Sequence, residues 1–219
     1  MSLQNRRDVQ ARKINLFQKL AATLVKCKCT PNQISIMSSV FALITLFAFY
    51  LCSIESGSIA FLYLFVGILG IQLRLICNLI DGLMAVEGGL KTASGELFND
   101  VPDRVSDLVI LIGAGLIANL YSPHMLTLSW LAAVMAIMTA YVRCLGAAMT
   151  GTHDFAGPMA KQHRMFTITV GAVGSLAELY DVWPRGLSMS LALMIVLLGS
   201  TLTVIHRLHR TYSKLENKT

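Results

Sequence analysis

The chain has 219 residues, of which 55% are hydrophobic and only 14% charged, and its formal net charge is +6. A typical soluble domain is about 45–50% apolar and about 25% charged, so this chain has too little charge to cover a water-facing surface. The composition excludes a soluble domain, a disordered chain and a disulfide scaffold, and it indicates an integral membrane protein.

The first predicted element is an amphipathic segment at residues 9–26, VQARKINLFQKLAATLVK, in which basic residues alternate with apolar ones. This spacing is typical of a helix that lies on a membrane surface, and a short water-facing helix is the alternative. The residues before Ile14 are basic and polar, which argues against a cleavable signal peptide. The run Thr30-Pro31-Asn32 then ends the segment, and Pro31 is well placed to begin the next helix.

Apolar stretches that follow are long enough to cross a bilayer as helices, which takes about 20 residues each. The sequence does not contain the recurring segments of about ten alternating apolar and polar residues that are typical of a membrane β-barrel. Six spans are predicted, at residues 33–52, 59–81, 99–120, 125–149, 165–180 and 187–205. The predicted fold is therefore an all-α integral membrane protein with one domain, in which a juxtamembrane segment (1–29) precedes a six-helix transmembrane core (33–205) and a tail (206–219).

The basic residues predict the orientation of these spans. With six spans, nearly all Lys and Arg fall in the N-terminal segment, in the second-to-third and fourth-to-fifth connections, and in the tail, whereas the opposite loops contain only Arg185. Basic residues mark the cytoplasmic side, so both termini should be cytoplasmic, and we expect a bacterial inner membrane protein. The positive net charge is then explained by topology and requires no nucleic-acid partner.

The acidic residues are concentrated in one short stretch. Of the 12 Asp and Glu, six lie between residues 81 and 107, namely Asp81, Glu87, Glu96, Asp100, Asp103 and Asp107. A charge well inside the hydrocarbon costs roughly 2.5–3.5 kcal/mol, so acids at the ends of spans favour a functional site. A solvated loop is the alternative.

Spacing places oxygen ligands together at the cytoplasmic ends of two spans. Asn78 and Asp81 share one helix face, as do Asn99 and Asp103, and a short loop holds the two helix ends side by side. Such a set suits a hard cation such as Mg²⁺ or Mn²⁺. Basic residues that would suit phosphates lie nearby, namely Arg74, Lys91, Arg143, Lys161 and Arg164. The pattern therefore indicates phosphoryl chemistry on a lipid at the membrane surface.

The stretch from Asn78 to Asp103 resembles the signature of the CDP-alcohol phosphotransferase family. That signature reads Asp, two residues, Asp-Gly, two residues, Ala-Arg, eight residues, Gly, three residues, Asp, three residues, Asp. Every spacing fits here, and the matching residues are Asp81, Gly82, Ala85, Gly95 and Asp103. Asn78 and Asn99 replace the first and third Asp, and Val86 replaces the Arg. Thr30-Pro31-Asn32 also resembles the start of the family's first span, so the resemblance covers nearly the whole chain.

The resemblance implies an enzyme of phospholipid biosynthesis that transfers a phosphatidyl group from CDP-diacylglycerol, or a related CDP-linked donor, to an alcohol and releases CMP. It implies that Asp103 is the base that activates the acceptor hydroxyl. The implied metal ligands, for Mg²⁺ or Mn²⁺, are Asn78, Asp81, Asn99, Asp103 and Asp100. It also implies a homodimer.

Substrate-binding residues follow from the same resemblance and from the nearby charges. The nucleotide would be lined by Gly82, Ala85 and Gly95, with Lys91 or Arg74 in place of the missing Arg. Pairing with the acids is the alternative role of Arg74. The acceptor would be bound by Arg143, Asp154, Lys161 and Arg164, and topology alone is the alternative explanation for the basic residues after the fourth span.

Two other functions stay open. Asn keeps a carbonyl oxygen but loses the negative charge, so metal affinity should fall, and the chain could be a catalytically impaired relative that binds a lipid or a nucleotide. A small transporter is the third hypothesis, although its acids would be expected near the bilayer midplane. Asp81 and Asp103 are retained, which favours the enzyme.

Overall fold

The computed structural model describes residues 15–86, 88–90, 92 and 94–216. Over these residues the chain is all-helical, as predicted, with no strand. The helices in chain order are α1 (Asn15–Lys26), α2 (Pro31–Ile54), α3 (Gly57–Val86), α4 (Gly95–Ala118), α5 (His124–Thr150), α6 (Lys161–Glu178) and α7 (Leu187–Glu216).

A capping box starts α2 where the sequence predicted a new helix. Thr30 accepts a hydrogen bond from the Gln33 amide through its hydroxyl, and its own amide donates to Oε1 of Gln33. Pro31 occupies the first turn, where its missing N–H costs nothing. This motif fixes the residue at which α2 begins.

Four helices, α2, α3, α5 and α7, are long and apolar enough to cross a membrane. With the composition, they identify an integral membrane protein. The other two predicted spans, α4 and α6, contain more charged side chains, among them Asp103 and Asp107 towards the middle of α4 and Lys161 and Arg164 in the first turn of α6. The six-span count therefore stays a prediction.

The helices that follow α1 pack as one bundle, in which α2 lies against α3 and α4, and α5 lies against α7 and α4. Small residues permit close approach, since a Cβ at Gly67 would overlap the ring of Phe49. At one end, buried Glu178 accepts hydrogen bonds from the amides of Gly186 and Ser188, at 2.7 and 2.6 Å, and so holds the start of α7 against the end of α6.

At the other end of the bundle, α1 packs on the last turns of α3. Ala21 is buried there against Ile80, Leu83 and Met84. Residues 15–26 are helical, whereas residues 9–14 of the predicted amphipathic segment lie outside the described residues. Residues from 206 onward, predicted to be a tail, continue α7 as helix to Glu216. The helix α1 thus covers the part of α3 that carries Asn78 and Asp81.

Candidate functional site

A cavity of about 230 Å³ opens at the end of the bundle where α1 packs, and residues of α3, α4, α5, α6 and α7 line it. Its walls include most of the polar residues singled out in the sequence, namely Asn78, Asn99, Asp100, Asp103, Arg143, Lys161 and Arg164. Five basic side chains line it, Arg104, Arg143, Lys161, Arg164 and Arg207, against two acidic ones, Asp100 and Asp103. This excess of positive charge suits an anionic ligand.

Two serines of α2 form hydrogen bonds with Asn78 and Asp81, the first two polar residues of the signature. Ser35 donates a 2.6 Å hydrogen bond to Oδ2 of buried Asp81, and Ser38 donates a 3.1 Å hydrogen bond to Oδ1 of Asn78. Oδ1 of Asp81 is buried without a hydrogen-bond partner in the described part of the chain. A buried carboxylate oxygen left unpaired is costly, so this atom fits a role as a cation ligand.

Asp103 lies across the site on α4 and is 6% exposed. Its Oδ2 forms an ion pair with the ammonium of Lys161, the first residue of α6. Its Oδ1 lies 3.6 Å from a guanidinium nitrogen of Arg74 but accepts no hydrogen bond from a described residue. One carboxylate oxygen of Asp103 is thus engaged by a lysine, and the other is held only loosely.

Asp107, one helical turn further along α4, is the centre of a buried ion triad. Its two oxygens pair with Arg74 of α3 at 2.5 Å and with Arg164 of α6 at 2.7 Å. Arg164 also donates to Oγ1 of Thr139 at 3.2 Å and to the carbonyl of Met159 at 3.0 Å. The triad joins three helices and gives Arg74 the acid-pairing role that was its alternative.

Arg143 of α5 meets an acid, as an arginine inside a span should. One of its guanidinium nitrogens lies 3.1 and 2.8 Å from the two carboxylate oxygens of Asp100, and Arg104 approaches the same carboxylate at 3.4 Å. The guanidinium of Arg143 also lies 5.7 Å from the ring centre of Phe155, in the loop before α6. Arg143 and Asp100 therefore form one side of the cavity together.

Asp154 lies outside the cavity, in the loop between α5 and α6. Its Oδ1 accepts a 2.9 Å hydrogen bond from the Ala156 amide, and its Oδ2 lies 2.7 Å from Nε of Arg210. Burial alone would raise the pKa of Asp154, but that amide and the charges of Arg210 and Lys214 outweigh it and hold the pKa below its ordinary value. Asp154 fixes the loop to α7.

The remaining predicted residues do not line this cavity. Gly82 and Ala85 lie on the last turns of α3, and Gly95 is the first residue of α4. Lys91 lies outside the described residues.

Sequence reasoning missed three polar contributors. Ser35 and Ser38 were overlooked, although they follow Pro31 at helical spacing and share one face of α2. Arg207 was attributed to topology, yet it lines the cavity and donates to the carbonyls of Ala156 and Thr139 at 2.8 and 2.5 Å. The serine spacing was visible in the sequence, whereas the reach of Arg207 depends on how α7 packs.

The oxygen donors of the site fit a hard divalent cation. They are the carboxylates of Asp81 and Asp103 and the side-chain amides of Asn78 and Asn99. Both oxygens of Asp100 are occupied by Arg143. Among the described residues, no three His, Cys, Asp or Glu side chains gather in the way a metal ion would need. The site has the ligand types that Mg²⁺ and Mn²⁺ prefer, with few negative charges.

No protein-family model matches the chain. An uncharacterised protein of Aquifex aeolicus is 28% identical over 177 residues, which cover 80% of this chain and 84% of that protein. The inner membrane protein YnbA of Escherichia coli is 26% identical over 173 residues, which cover 77% of this chain and 80% of YnbA.

Solved structures of phosphatidylinositol phosphate synthase (PgsA1) from Mycobacterium tuberculosis are similar over most of their length. The structure with CDP-DAG bound has a TM-score of 0.74 at 19% identity and covers 91% of this chain and 94% of the synthase. The complex with manganese and citrate has a TM-score of 0.73 at 20% identity, with coverage of 90% and 88%. The apo form has a TM-score of 0.71 at 20% identity, with coverage of 89% and 95%. At these identities the similarity shows a shared fold.

Proposed function

We propose that this chain is a CDP-alcohol phosphotransferase of phospholipid biosynthesis, which transfers a phosphatidyl group from CDP-diacylglycerol or a related CDP-linked donor to an alcohol and releases CMP. The observation that carries the proposal is the convergence of Asp81, Asn78 and Asp103 beside a basic cavity at one end of a membrane helix bundle. Oxygen ligands beside phosphate-binding cations are what such a transfer requires.

The shared fold supports the choice of donor. A synthase of this fold has been solved with CDP-DAG bound and also with manganese and citrate. In this chain the signature resemblance falls on the helix ends beside the cavity, since Asn78 and Asp81 are on α3, and Asn99 and Asp103 are on α4. The signature resemblance and the basic cavity thus lie at the same end of the bundle.

A divalent ion, Mg²⁺ or Mn²⁺, would be held by Asp81 with the amide oxygens of Asn78 and Asn99, and Asp103 completes the proposed ligand set. Such an ion supplies charge neutralisation for the donor diphosphate. Asp100 would join this set only if its pair with Arg143 opened, so we assign it to holding Arg143.

In the reaction, the acceptor hydroxyl oxygen bonds to the phosphorus of the phosphatidyl group, and the bond from that phosphorus to the bridging oxygen of CMP breaks. The hydroxyl proton passes to Asp103, whose Oδ1 has no hydrogen-bond donor among the described residues. Arg74, 3.6 Å from that oxygen, helps to orient the carboxylate before the transfer. CMP leaves with the electron pair of the broken bond.

Binding of the two substrates would be divided between the two sides of the site. Gly82, Ala85 and Gly95 would line the nucleotide, with Lys91 near its phosphates. The acceptor would enter the cavity and meet Arg143, Lys161 and Arg164. Asp154 would act on the acceptor side by holding the loop that carries Phe155.

The membrane arrangement is part of the proposal. We propose six membrane-crossing helices, α2 to α7, with α1 on the membrane surface and both termini and the site on the cytoplasmic side of a bacterial inner membrane. The distribution of Lys and Arg supports this orientation. Large apolar side chains exposed along the bundle, such as Phe47, Phe65, Leu131 and Leu198, would face lipid or a second copy in a homodimer.

The test is CMP release by the purified protein, supplied with CDP-diacylglycerol, Mg²⁺ or Mn²⁺ and a panel of alcohols that includes glycerol phosphate, inositol phosphate, free inositol and serine. We expect metal-dependent CMP release with at least one acceptor. An Asp103→Asn variant is the matched control, because it keeps the shape of the site and loses the base.

A non-catalytic binding protein of the same fold is the second candidate, and Asn78 and Asn99 favour it because two carboxylates of the signature are neutral amides. If the chain is such a binding protein, it binds CDP-diacylglycerol but releases no CMP with any acceptor. Binding and turnover measured on the same preparation separate the two functions.

A further inference from the structure

The cation that pairs with Asp103 is a side chain of the protein, the ammonium group of Lys161. Lys161 stands at the first residue of α6, where the helix dipole disfavours a positive side chain. Its side chain is 23% exposed, and its ammonium pairs with Asp103, whose side chain is 8% exposed. A lysine in this unfavourable place therefore needs a compensating contact, and Asp103 supplies it.

The site has fewer negative charges than the family signature, which favours a lysine over a second metal ion. The signature would place four carboxylates beside one or two divalent ions, but in this chain Asn78 and Asn99 remove two of the four negative charges. The carboxylates of the signature that remain are Asp81 and Asp103. A site with half the negative charge neutralises fewer positive charges.

The two remaining carboxylates differ in their partners. Oδ1 of Asp81 is buried without a hydrogen-bond partner in the described part of the chain, and its Oδ2 accepts a hydrogen bond from the neutral hydroxyl of Ser35. Asp103 already has the Lys161 ammonium on one oxygen and Arg74 near the other. A metal ion would therefore be centred on Asp81, with Asp103 as the weaker ligand, and the positive charge of Lys161 also acts on Asp81.

We propose that the ammonium of Lys161 takes the place of one metal ion at this site, so that the chain binds a single divalent cation centred on Asp81. This inference rests on the proposed function, because it concerns the metal site of the proposed transferase. The two changes to Asn and the lysine then form one adaptation, in which lost carboxylates are matched by a protein cation. Lys161 also lowers the metal affinity of Asp81 by charge repulsion.

The test is equilibrium binding of Mn²⁺ to the purified full chain, with free Mn²⁺ counted by electron paramagnetic resonance. We expect the wild-type protein to bind one Mn²⁺ per chain. Lys161→Met keeps the length of the side chain and removes its charge, so Mn²⁺ should bind about tenfold more tightly. Lys161→Arg keeps the charge and should change the dissociation constant less than about twofold.

Matched controls isolate the position of the charge. Lys19→Met removes one exposed lysine from α1 and should leave Mn²⁺ binding unchanged. In a background with Asn78→Asp and Asn99→Asp, adding Lys161→Met should raise the number of bound Mn²⁺ from one to two. Lys161→Gln, which retains a donor for Asp103, replaces the Met variant if that protein does not fold.

The outcomes separate this inference from the proposed function. A Lys161→Met or Lys161→Gln protein that binds Mn²⁺ as the wild type does, or more weakly, overturns the inference while CMP release by the wild type still supports the transferase. Two Mn²⁺ per wild-type chain also overturn it. If neither the wild type nor the variants bind Mn²⁺, the metal site itself is refuted and the inference falls with it.

Discussion

Ser35 on α2 donates a 2.6 Å hydrogen bond to Oδ2 of Asp81 on α3. The bond holds one oxygen of the carboxylate in place, and the other oxygen is buried without a hydrogen-bond partner among the described residues. The start of α2 thus orients the main charged ligand that we propose for the metal. About one turn further along α2, Ser38 donates a similar hydrogen bond to Asn78.

We predict that Ser35→Ala weakens Mn²⁺ binding by roughly 10–100-fold, because outer partners of metal ligands commonly contribute that much. The measurement is the Mn²⁺ dissociation constant of the purified protein. Ser53→Ala, near the far end of α2, removes a hydroxyl that donates to the Tyr50 carbonyl, and it serves as the control. Equal affinity in wild type and Ser35→Ala would show that Asp81 needs no support from α2.

Asp103→Asn should lower the rate of CMP release by about 10²–10⁴-fold, which is the usual contribution of a general base. Donor affinity should change little, because the amide keeps the size of the side chain. Turnover and CDP-diacylglycerol binding are measured on the same preparation, with Glu55→Gln, an exposed acid outside the site, as the control. An active Asp103→Asn protein would remove Asp103 from the role of base.

The double variant Asn78→Asp and Asn99→Asp restores the two aspartates of the family signature. It should tighten Mn²⁺ binding by about tenfold or more, because each change adds a negative ligand. Isothermal titration with Mn²⁺ measures the effect. An unchanged or weaker affinity would mean that these two positions do not face the metal.

Asp107→Leu should destabilise the fold by about 3–5 kcal/mol, since it leaves Arg74 and Arg164 buried without their counter-charge. The midpoint of thermal unfolding in detergent reports the loss. The triple replacement Arg74→Met, Asp107→Leu and Arg164→Met should regain most of the stability, because an apolar triad has no charge to compensate. Asp100→Asn, at a half-exposed ion pair, should cost much less.

The sequence predicted the all-helical class of the fold, which the structure confirms, and it predicted side chains that the structure brings close together. Long apolar stretches predicted the helices, and a proline with a capping threonine marked where α2 begins. The fixed spacing of Asn78, Asp81 and Asp103 predicted shared helix faces, and the structure places Asn78 and Asp103 on the wall of one cavity with Asp81 beside them.

The sequence alone could not predict which side chains pair with each other at the site, because the partners lie on helices that are distant in the chain. Arg74 and Arg164 were predicted to bind different substrates, but packing of α3, α4 and α6 brings both onto Asp107. Arg207 lies in a stretch that reads as a basic tail, and only the continuation of α7 carries it to the cavity. Such contacts depend on the rotation of each helix in the bundle, which periodicity alone leaves open.

The transfer itself is tested most directly by measuring both of its products in one sample. The purified protein is given CDP-diacylglycerol, Mn²⁺ and each acceptor in turn, and CMP and the new lipid are quantified by mass spectrometry in the same sample. We expect equal amounts of CMP and of one phosphodiester lipid, formed only when both metal and acceptor are present and lost in Asp103→Asn. Donor that is bound but returned intact with every acceptor would contradict it.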